Sequence, residues 1–433
     1  MVYWVLYGLG QLGLRQYFRK IHRIGAEPVQ RGPVVVVSNH FNGLMDLLVV
    51  TSQYFRRLWF TAKSTLFDPP GGYIFRALPV LPIYRPEDGF QGDANERTFA
   101  ATSKLLSKGG GVLVFPHDFP EDFKPGERWL HRLRTGAVRM AFAAEEQNNW
   151  QLDVCIQPVG VNYAVFHRVG YSVTLAFGQP IRVAQWRDDD DPRGAVRACT
   201  AELESRLQQL TVQVPDRQYT ELMELVNVLY ARDGADDFGR LSIISEKLGR
   251  LVPRYPDLAQ PMIARIGRYI DMARALHIRP GDEQPPFQHA LRLTLLSPFI
   301  IAGIITHYIP HRALEIAARR INPDPYYLGT TRFMMGFLGF PLWYLLLGFL
   351  YRLLLPGWWW IVVALTATAV TGTMANRYRS RMNALVARWI PGRYGRHVAY
   401  LRRLGKALRV KCDALAAEVD DATTVSERVA RSA

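Results

Sequence analysis

VVVVSNHFNGLMDLLVV, residues 34–50, is the stretch from which the fold is read. Four successive valines, Val34 to Val37, are stiff at χ1 and favour a pleated backbone. An unbroken apolar run of this kind suits a strand buried on both faces. It ends at Ser38, and Asn39, His40, Phe41, Asn42 and Gly43 form a loop before Asp46 opens the next helix. The spacing sets an imidazole at a strand's carboxyl edge with a carboxylate near enough to orient its other nitrogen. Such a pair can take the proton of a hydroxyl as that hydroxyl attacks a thioester carbonyl, and no covalent enzyme intermediate is needed. By spacing alone this is weak. With ten histidines in the chain, the odds that one has an Asp six places on by chance are roughly even. An ordinary buried or exposed histidine is therefore the default reading.

Outward from this stretch the pattern is α/β. RRLWFTAK (56–63) reads as a second strand. Residues 98–108 carry helix signals and run into GGG and the strand VLVF (112–115). Residues 135–146 are helical, and VCIQPVGVNY (154–163) and YSVTLAFGQPI (171–181) read as further strands. Continuous apolar strands alternating with helices predict an α/β fold whose sheet is covered by helices on both faces. The acidic run 188–191 closes this domain, taken as 26–192. Residues 193–285 read as a helical linker region, with GDEQPPFQ (281–288) as a boundary.

Three apolar segments lie within 286–376: 293–310, 333–355 and 358–375. The last two are near spanning length and are joined by LPG and the aromatic cluster WWW, the pattern of a membrane hairpin. Residues 311–332 and the tail 377–433 are arginine-rich, and the positive-inside rule puts both on the cytoplasmic side. That leaves 293–310, shorter and containing Pro298 and His307, as re-entrant or interfacial. The end of the tail reads as frayed. Residues 1–25 lack the pattern of a cleaved signal and read either as an interfacial helix, with Trp4, Tyr7, Arg15 and Arg19, or as a helix packed on the next domain.

The composition agrees with a lipid partner. A net charge of +15 with 12% aromatic residues points to an anionic surface, and no nucleic-acid-binding motif is present. The three cysteines, Cys155, Cys199 and Cys412, are far apart and show no CxxC spacing. They exclude a disulfide framework and a cysteine-based zinc site. His117 and Asp118 near Glu121 and Asp122 lack a second ligand set, so no metal is expected. GLGQLG (8–13) has no strand before it and fails as a dinucleotide loop. No G-x-S-x-G elbow is present to suggest a lipid hydrolase.

Four blocks between residues 34 and 181 resemble the glycerolipid acyltransferase superfamily, which includes glycerol-3-phosphate and lysophosphatidate acyltransferases. The first is SNHFNGLMD, with five residues between His40 and Asp46 where the commonest family form has four. This spacing is similar to a branch with fungal-type glycerol-3-phosphate acyltransferases and bacterial relatives. The second, GGYIFRALPVLPIYRPEDG, makes Arg85 the candidate for the acceptor's phosphate; as a bare residue it reads as a surface arginine after a strand. The third, GGGVLVFPHDFPEDFKPGERWLHRLRTGAVRMAF, matches at Phe115, Pro116, Thr135, Gly136 and Ala137. It has His117 and Asp118 where the family has Glu and Gly. The fourth, IQPVGVNY with AFGQPI, matches closely, Pro158 and Gly178 being structural.

The resemblance implies an acyltransferase that moves a fatty acyl group from acyl-CoA or acyl-carrier protein to a glycerol-phosphate or lysophospholipid hydroxyl. His40 is then the general base and Asp46 its orienting partner, with no cofactor. Asn42, Arg85, His117, Asp118, Thr135 and Gly136 are the expected substrate contacts. A carboxylate replacing the family's glutamate can come from Asp118 or, in a second register, from Glu121. The first is preferred because VLVF supplies the strand that must precede the loop, and it leaves Lys124 and Arg128 to meet phosphate or lipid. The expected setting is a bacterial inner membrane with the catalytic domain on its cytoplasmic face. The rival readings are the same chemistry on another acceptor and a catalytically silent membrane scaffold, which the intact His40/Asp46 pair opposes.

Overall fold

The computed structural model describes residues 2–68, 78–84, 95–117, 128–166, 169–214, 219–230, 237–251, 255–280, 282, 287–322, 325–389 and 392–432. They form two units, Met1–Gln213 and Val214–Ala433.

In the first unit the strands are β1 (Ile21–Gly25), β2 (Val34–Ser38), β3 (Leu58–Lys63), β4 (Val80–Ile83), β5 (Gly111–Val114), β6 (Cys155–Tyr163), β7 (Val173–Phe177) and β8 (Ile181–Arg182). They make one mixed sheet in the order β1-β7-β6-β2-β5-β3-β4, with β8 on β6. β2 lies between β5 and β6, parallel to both, so all five of its residues are buried. The helices are α1 (Val2–Tyr17), α2 (Leu44–Thr51), α3 (Glu96–Leu106), α4 (Gly136–Gln147) and α5 (Pro192–Leu210). Side chains alternate across a strand. Val35, Val37, Val112, Val114 and Ile156 accordingly share one core cluster with Leu106 of α3, Met140 of α4 and Leu203 of α5. On β6 the neighbour Gln157 accepts from the Tyr54 hydroxyl, just beyond α2, at 2.9 Å.

α5 begins at the acidic run: Asp191 caps it by accepting from the Gly194 amide at 2.8 Å, and Pro192 takes the first turn. Its Ala195, Cys199, Leu203 and Leu207 belong to the sheet's core. The helix that the sequence assigns to the linker is thus part of the α/β unit. Gly160 explains how closely it packs, since a Cβ there would come within 2.0 Å of the Leu210 carbonyl oxygen. β1 has no apolar run to announce it; it pairs parallel with β7. α1 docks through Tyr7 and Gln11, which donate to the Ser52 carbonyl at 3.0 and 2.6 Å, and through buried Leu14 and Tyr17. Trp4, Leu9 and Leu12 stay exposed on it.

The second unit is helical: α6 (Thr220–Leu229), α7 (Asp237–Leu251), α8 (Ala259–Ala275), α9 (Phe287–Ile321), α10 (Pro325–Leu354), α11 (Trp358–Trp389) and α12 (Arg393–Ser432). Three of these, over Ala290–Ile321, Tyr327–Leu354 and Trp358–Ala387, are long and apolar enough to cross a membrane. The segment expected to stop short at residue 310 does not: α9 continues through both Pro298 and Pro310. An internal proline removes one backbone donor but need not end a helix that packing sustains. α12 likewise stays helical to Ser432, through the stretch read as frayed.

Candidate active site

The site is built at the carboxyl ends of β2, β5 and β6, the edge where open α/β sheets commonly place ligands. β2 ends at Ser38, and the next side chain, Asn39, extends the sheet by itself. Its amide donates to the Val161 carbonyl at 2.9 Å and accepts from the Val161 amide at 2.6 Å. With residue 39 fixed to β6, His40 has a defined start. Gly43 then turns the chain into α2 with φ of 52° and ψ of −134°, a conformation that disfavours any side chain. This turn brings the Asp46 carboxylate back to the imidazole.

His40 Nδ1 lies 3.1 Å from Asp46 Oδ2. Asp46 is wholly buried, in the first turn of α2, where the helix dipole favours an anion. It accepts from the Asn42 amide at 2.7 Å through Oδ2 and from the Tyr163 hydroxyl at 2.6 Å through Oδ1. Burial first, and the Asp46 carboxylate second, hold the Tyr163 phenol well above its ordinary range. Tyr163 therefore remains a donor to Asp46. Phe115, the first residue after β5, stacks on the His40 ring with centroids 4.3 Å apart and planes 21° apart. One edge of the imidazole is set by a carboxylate and one face by a phenyl ring.

His40, Asn42 and Asp46 thus come together as the sequence suggests. His117 is only 4% exposed and bridges to Leu133, in the wall beside Phe41 rather than on an open surface. Thr135 and Gly136 start α4, held near the end of β5 because the Arg134 amide donates to the Pro116 carbonyl at 2.7 Å. Arg85, Asp118, Glu121 and Lys124 lie outside the described residues. Arg128 does not face phosphate or lipid: it is buried, donates to the Tyr163 carbonyl and lies 4.6 Å over the Phe166 ring. Tyr163, Phe115 and Asn39 carry no signal of a role at the site in the sequence. Tyr163 closes the motif IQPVGVNY, but only the sheet order reveals that β6 delivers its hydroxyl to Asp46.

The family model described as Acyltransferase matches residues 20–162, the span that holds β1 to nearly the end of β6 and, with Tyr163 just beyond it, the His40–Asp46 pair. The match covers about a third of the chain and most of the sheet of the first unit. Among solved structures, the chain is similar to the 1-acyl-sn-glycerophosphate (LPA) acyltransferase PlsC from Thermotoga maritima. The identity is 18%, the match covers 47% of this chain and 80% of that one, and the TM-score is 0.32. None of the curated proteins matches.

The geometry of the site can be tested at two residues. Tyr163→Phe leaves a buried carboxylate oxygen without its hydroxyl donor, a loss of about 1–3 kcal/mol. We expect kcat to fall on the order of tenfold with little change in KM, since Asp46 would hold the imidazole less firmly; steady-state kinetics of the variant checks this. The second residue is His117. Burial first and neighbouring His40 second push its imidazole down to about 3, whereas an unfolded histidine titrates near 6.5. Between those values the unfolded chain binds a proton that the folded one does not, so stability falls as pH drops through this window. His117→Phe should flatten the decline in melting temperature between about pH 6.5 and 4; parallel curves would assign the decline elsewhere.

Proposed function

We propose that the protein is a membrane-bound O-acyltransferase of phospholipid synthesis. It moves a fatty acyl group from acyl-CoA or acyl-carrier protein to the hydroxyl of a glycerol phosphate or lysophospholipid, at the cytoplasmic face of a bacterial plasma membrane. The observation that carries this is the His40–Asp46 pair, oriented at 3.1 Å on an acyltransferase domain. Because Nδ1–H donates to Asp46, Nε2 is the basic nitrogen. It takes the proton as the acceptor oxygen forms its bond to the thioester carbonyl carbon. The resulting imidazolium is stabilised by the buried carboxylate. When the tetrahedral intermediate collapses, the C–S bond breaks and the thiolate leaves with the proton from Nε2. The acceptor's phosphate falls to Arg85, to Thr135 and to the first amides of α4, where Gly136 leaves space: a Cβ there would meet nothing within 4 Å. Asp118 is assigned to the acceptor's hydroxyls, and the buried Asn42 and His117 to the wall of the site.

The test is transfer of labelled acyl groups, from acyl-CoA and from acyl-carrier protein, to a panel of glycerol phosphates and lysophospholipids in membranes holding the full chain. A product ester on at least one phosphate-bearing acceptor is expected. Absence of transfer from either donor to every member would leave the scaffold reading in its place.

A further inference from the structure

The three long apolar helices of the second unit pair in a way that fixes which of them can cross a bilayer. α9 and α11 run antiparallel. Arg292 lies 5.8 Å over the Tyr378 ring, and Leu293 and Ile300 share a buried cluster with Met382 and Leu385. Further along, Gly303 meets α11 so closely that a Cβ would lie 2.0 Å from the Thr371 carbonyl oxygen, and His307 covers Gly372. The start of α9 and the end of α11 are also tied by polar bonds. The Arg279 amide donates to Ser380 at 2.7 Å, Ser380 donates to Asp282 at 2.8 Å, and Arg381 pairs with Asp282 at 3.2 Å. Asn383 and Tyr394 each donate at 3.2 Å to carbonyls of His277 and Leu276. Beyond this point α12 returns to the helices that precede α9. Tyr230, at the end of α6, donates to the Arg409 carbonyl at 3.0 Å, and Arg409 donates to the Leu229 carbonyl at 3.0 Å.

α10 stays at the other end. Arg332 pairs with Glu315 of α9 at 2.6 Å, Gly339 packs on Leu314, and Tyr344 lies 2.9 Å from His307. After the internal Pro341, Gly348 packs on Leu365 and Tyr351 lies 2.9 Å from Thr368. In the antiparallel register of α9 and α11, Leu365 and Thr368 are level with the stretch around His307. Both halves of α10 therefore lie against the same far portion of the pair.

We propose that α9 and α11 are the two membrane-crossing helices and that α10, one unbroken helix, lies along the far side of the membrane with both its ends there. The occupant of the outer faces is the acyl region of a lipid bilayer. Ala290–Ile321 has 32 residues and Trp358–Ala387 has 30. At about 1.5 Å per residue each exceeds a hydrocarbon core of about 30 Å. Leu295, Ile305, Leu345, Phe349 and Trp358 are more than 60% exposed. His307, by contrast, is bonded within the bundle, to Tyr344, as a polar group in a membrane interior must be. The near end carries Arg377, Arg379, Arg393 and Arg396. The far end carries fewer, Arg312, Arg319, Arg320, Arg332 and Arg352, against a near end that also has Arg381, Arg388, Arg402 and Arg403. The positive-inside rule makes the near end cytoplasmic. This places Asn322 outside, reversing the sequence expectation, and replaces the hairpin of 333–355 and 358–375. It does not depend on the acyl-transfer reading.

The test is labelling by a membrane-impermeant maleimide in sealed vesicles of each orientation, with detergent giving the total. Full-length chains lacking Cys155, Cys199 and Cys412 carry a single Asn322→Cys, Gly357→Cys or Tyr400→Cys change. Positions 322 and 357 should label from the same side and position 400 from the opposite one. Labelling of 322 and 357 from opposite sides would make α10 a crossing helix, and labelling of all three from one side would remove the crossing; either overturns the proposal. Should replacing the buried Cys199 unfold the chain, the same sites are read with native cysteines retained, each adduct being assigned to its residue by peptide mass spectrometry.

Discussion

His40→Ala is expected to lower kcat by about 100- to 10,000-fold, the range lost when a general base is removed, while the protein keeps its melting temperature within a few degrees. The two halves of this expectation have separate grounds. In the proposed mechanism Nε2 takes the hydroxyl proton, and His117, another imidazole in the wall, is buried and held neutral by that burial. Stability is spared because the His40 side chain is 28% exposed. Asp46 keeps the Asn42 amide and the Tyr163 hydroxyl as partners after the ring is gone. Kinetics of purified variant and parent, with thermal melting of both, checks it. Near-parental turnover in a folded variant would remove His40 from the mechanism.

The centre of the α/β unit is legible in the sequence because strand burial and strand-end chemistry are local. Val34–Val37 can be little else than a covered strand, and the next segment of chain, Asn39 to Asp46, also surrounds the imidazole in space. The remainder of the site is not local. Tyr163 is 117 residues from Asp46, and Asn39 is 122 from Val161. Those meetings arise because β6 lies beside β2, an order that no hydropathy pattern encodes. β1 is hidden for a different reason: IHRIG has one side to the sheet edge and no apolar run. In the second unit, hydropathy finds three apolar helices but says nothing about which two pair. That is decided by small residues at the contact, Gly303 and Gly372, and by polar bonds between residues 276–282 and 380–394.

Asp46→Asn is expected to cut kcat by roughly 100-fold or more with KM nearly unchanged, yet by less than the ~10,000-fold seen when the aspartate of a serine-protease triad becomes asparagine. The difference comes from Tyr163. An asparagine presents one acceptor and one donor where Asp46 presents two acceptors. The Oδ2 position is fixed as an acceptor, because the Asn42 backbone amide donates to it at 2.7 Å and cannot reverse. The Oδ1 position faces a hydroxyl, which can turn its hydrogen away and accept instead. The amide therefore settles with oxygen toward His40 and nitrogen toward Tyr163. Nδ1–H keeps its acceptor and the ring keeps the tautomer with a basic Nε2. What disappears is the negative charge that stabilises the imidazolium, and with it the larger part of the rate. Asp46→Ala goes further, since it strands both the Asn42 amide and the Tyr163 hydroxyl in a buried site, each at about 1–3 kcal/mol, so it should lose stability as well as turnover. An Asp46→Asn variant as slow as His40→Ala would mean that the amide has flipped or that the tautomer is set by another group, and the role given to Tyr163 would be wrong.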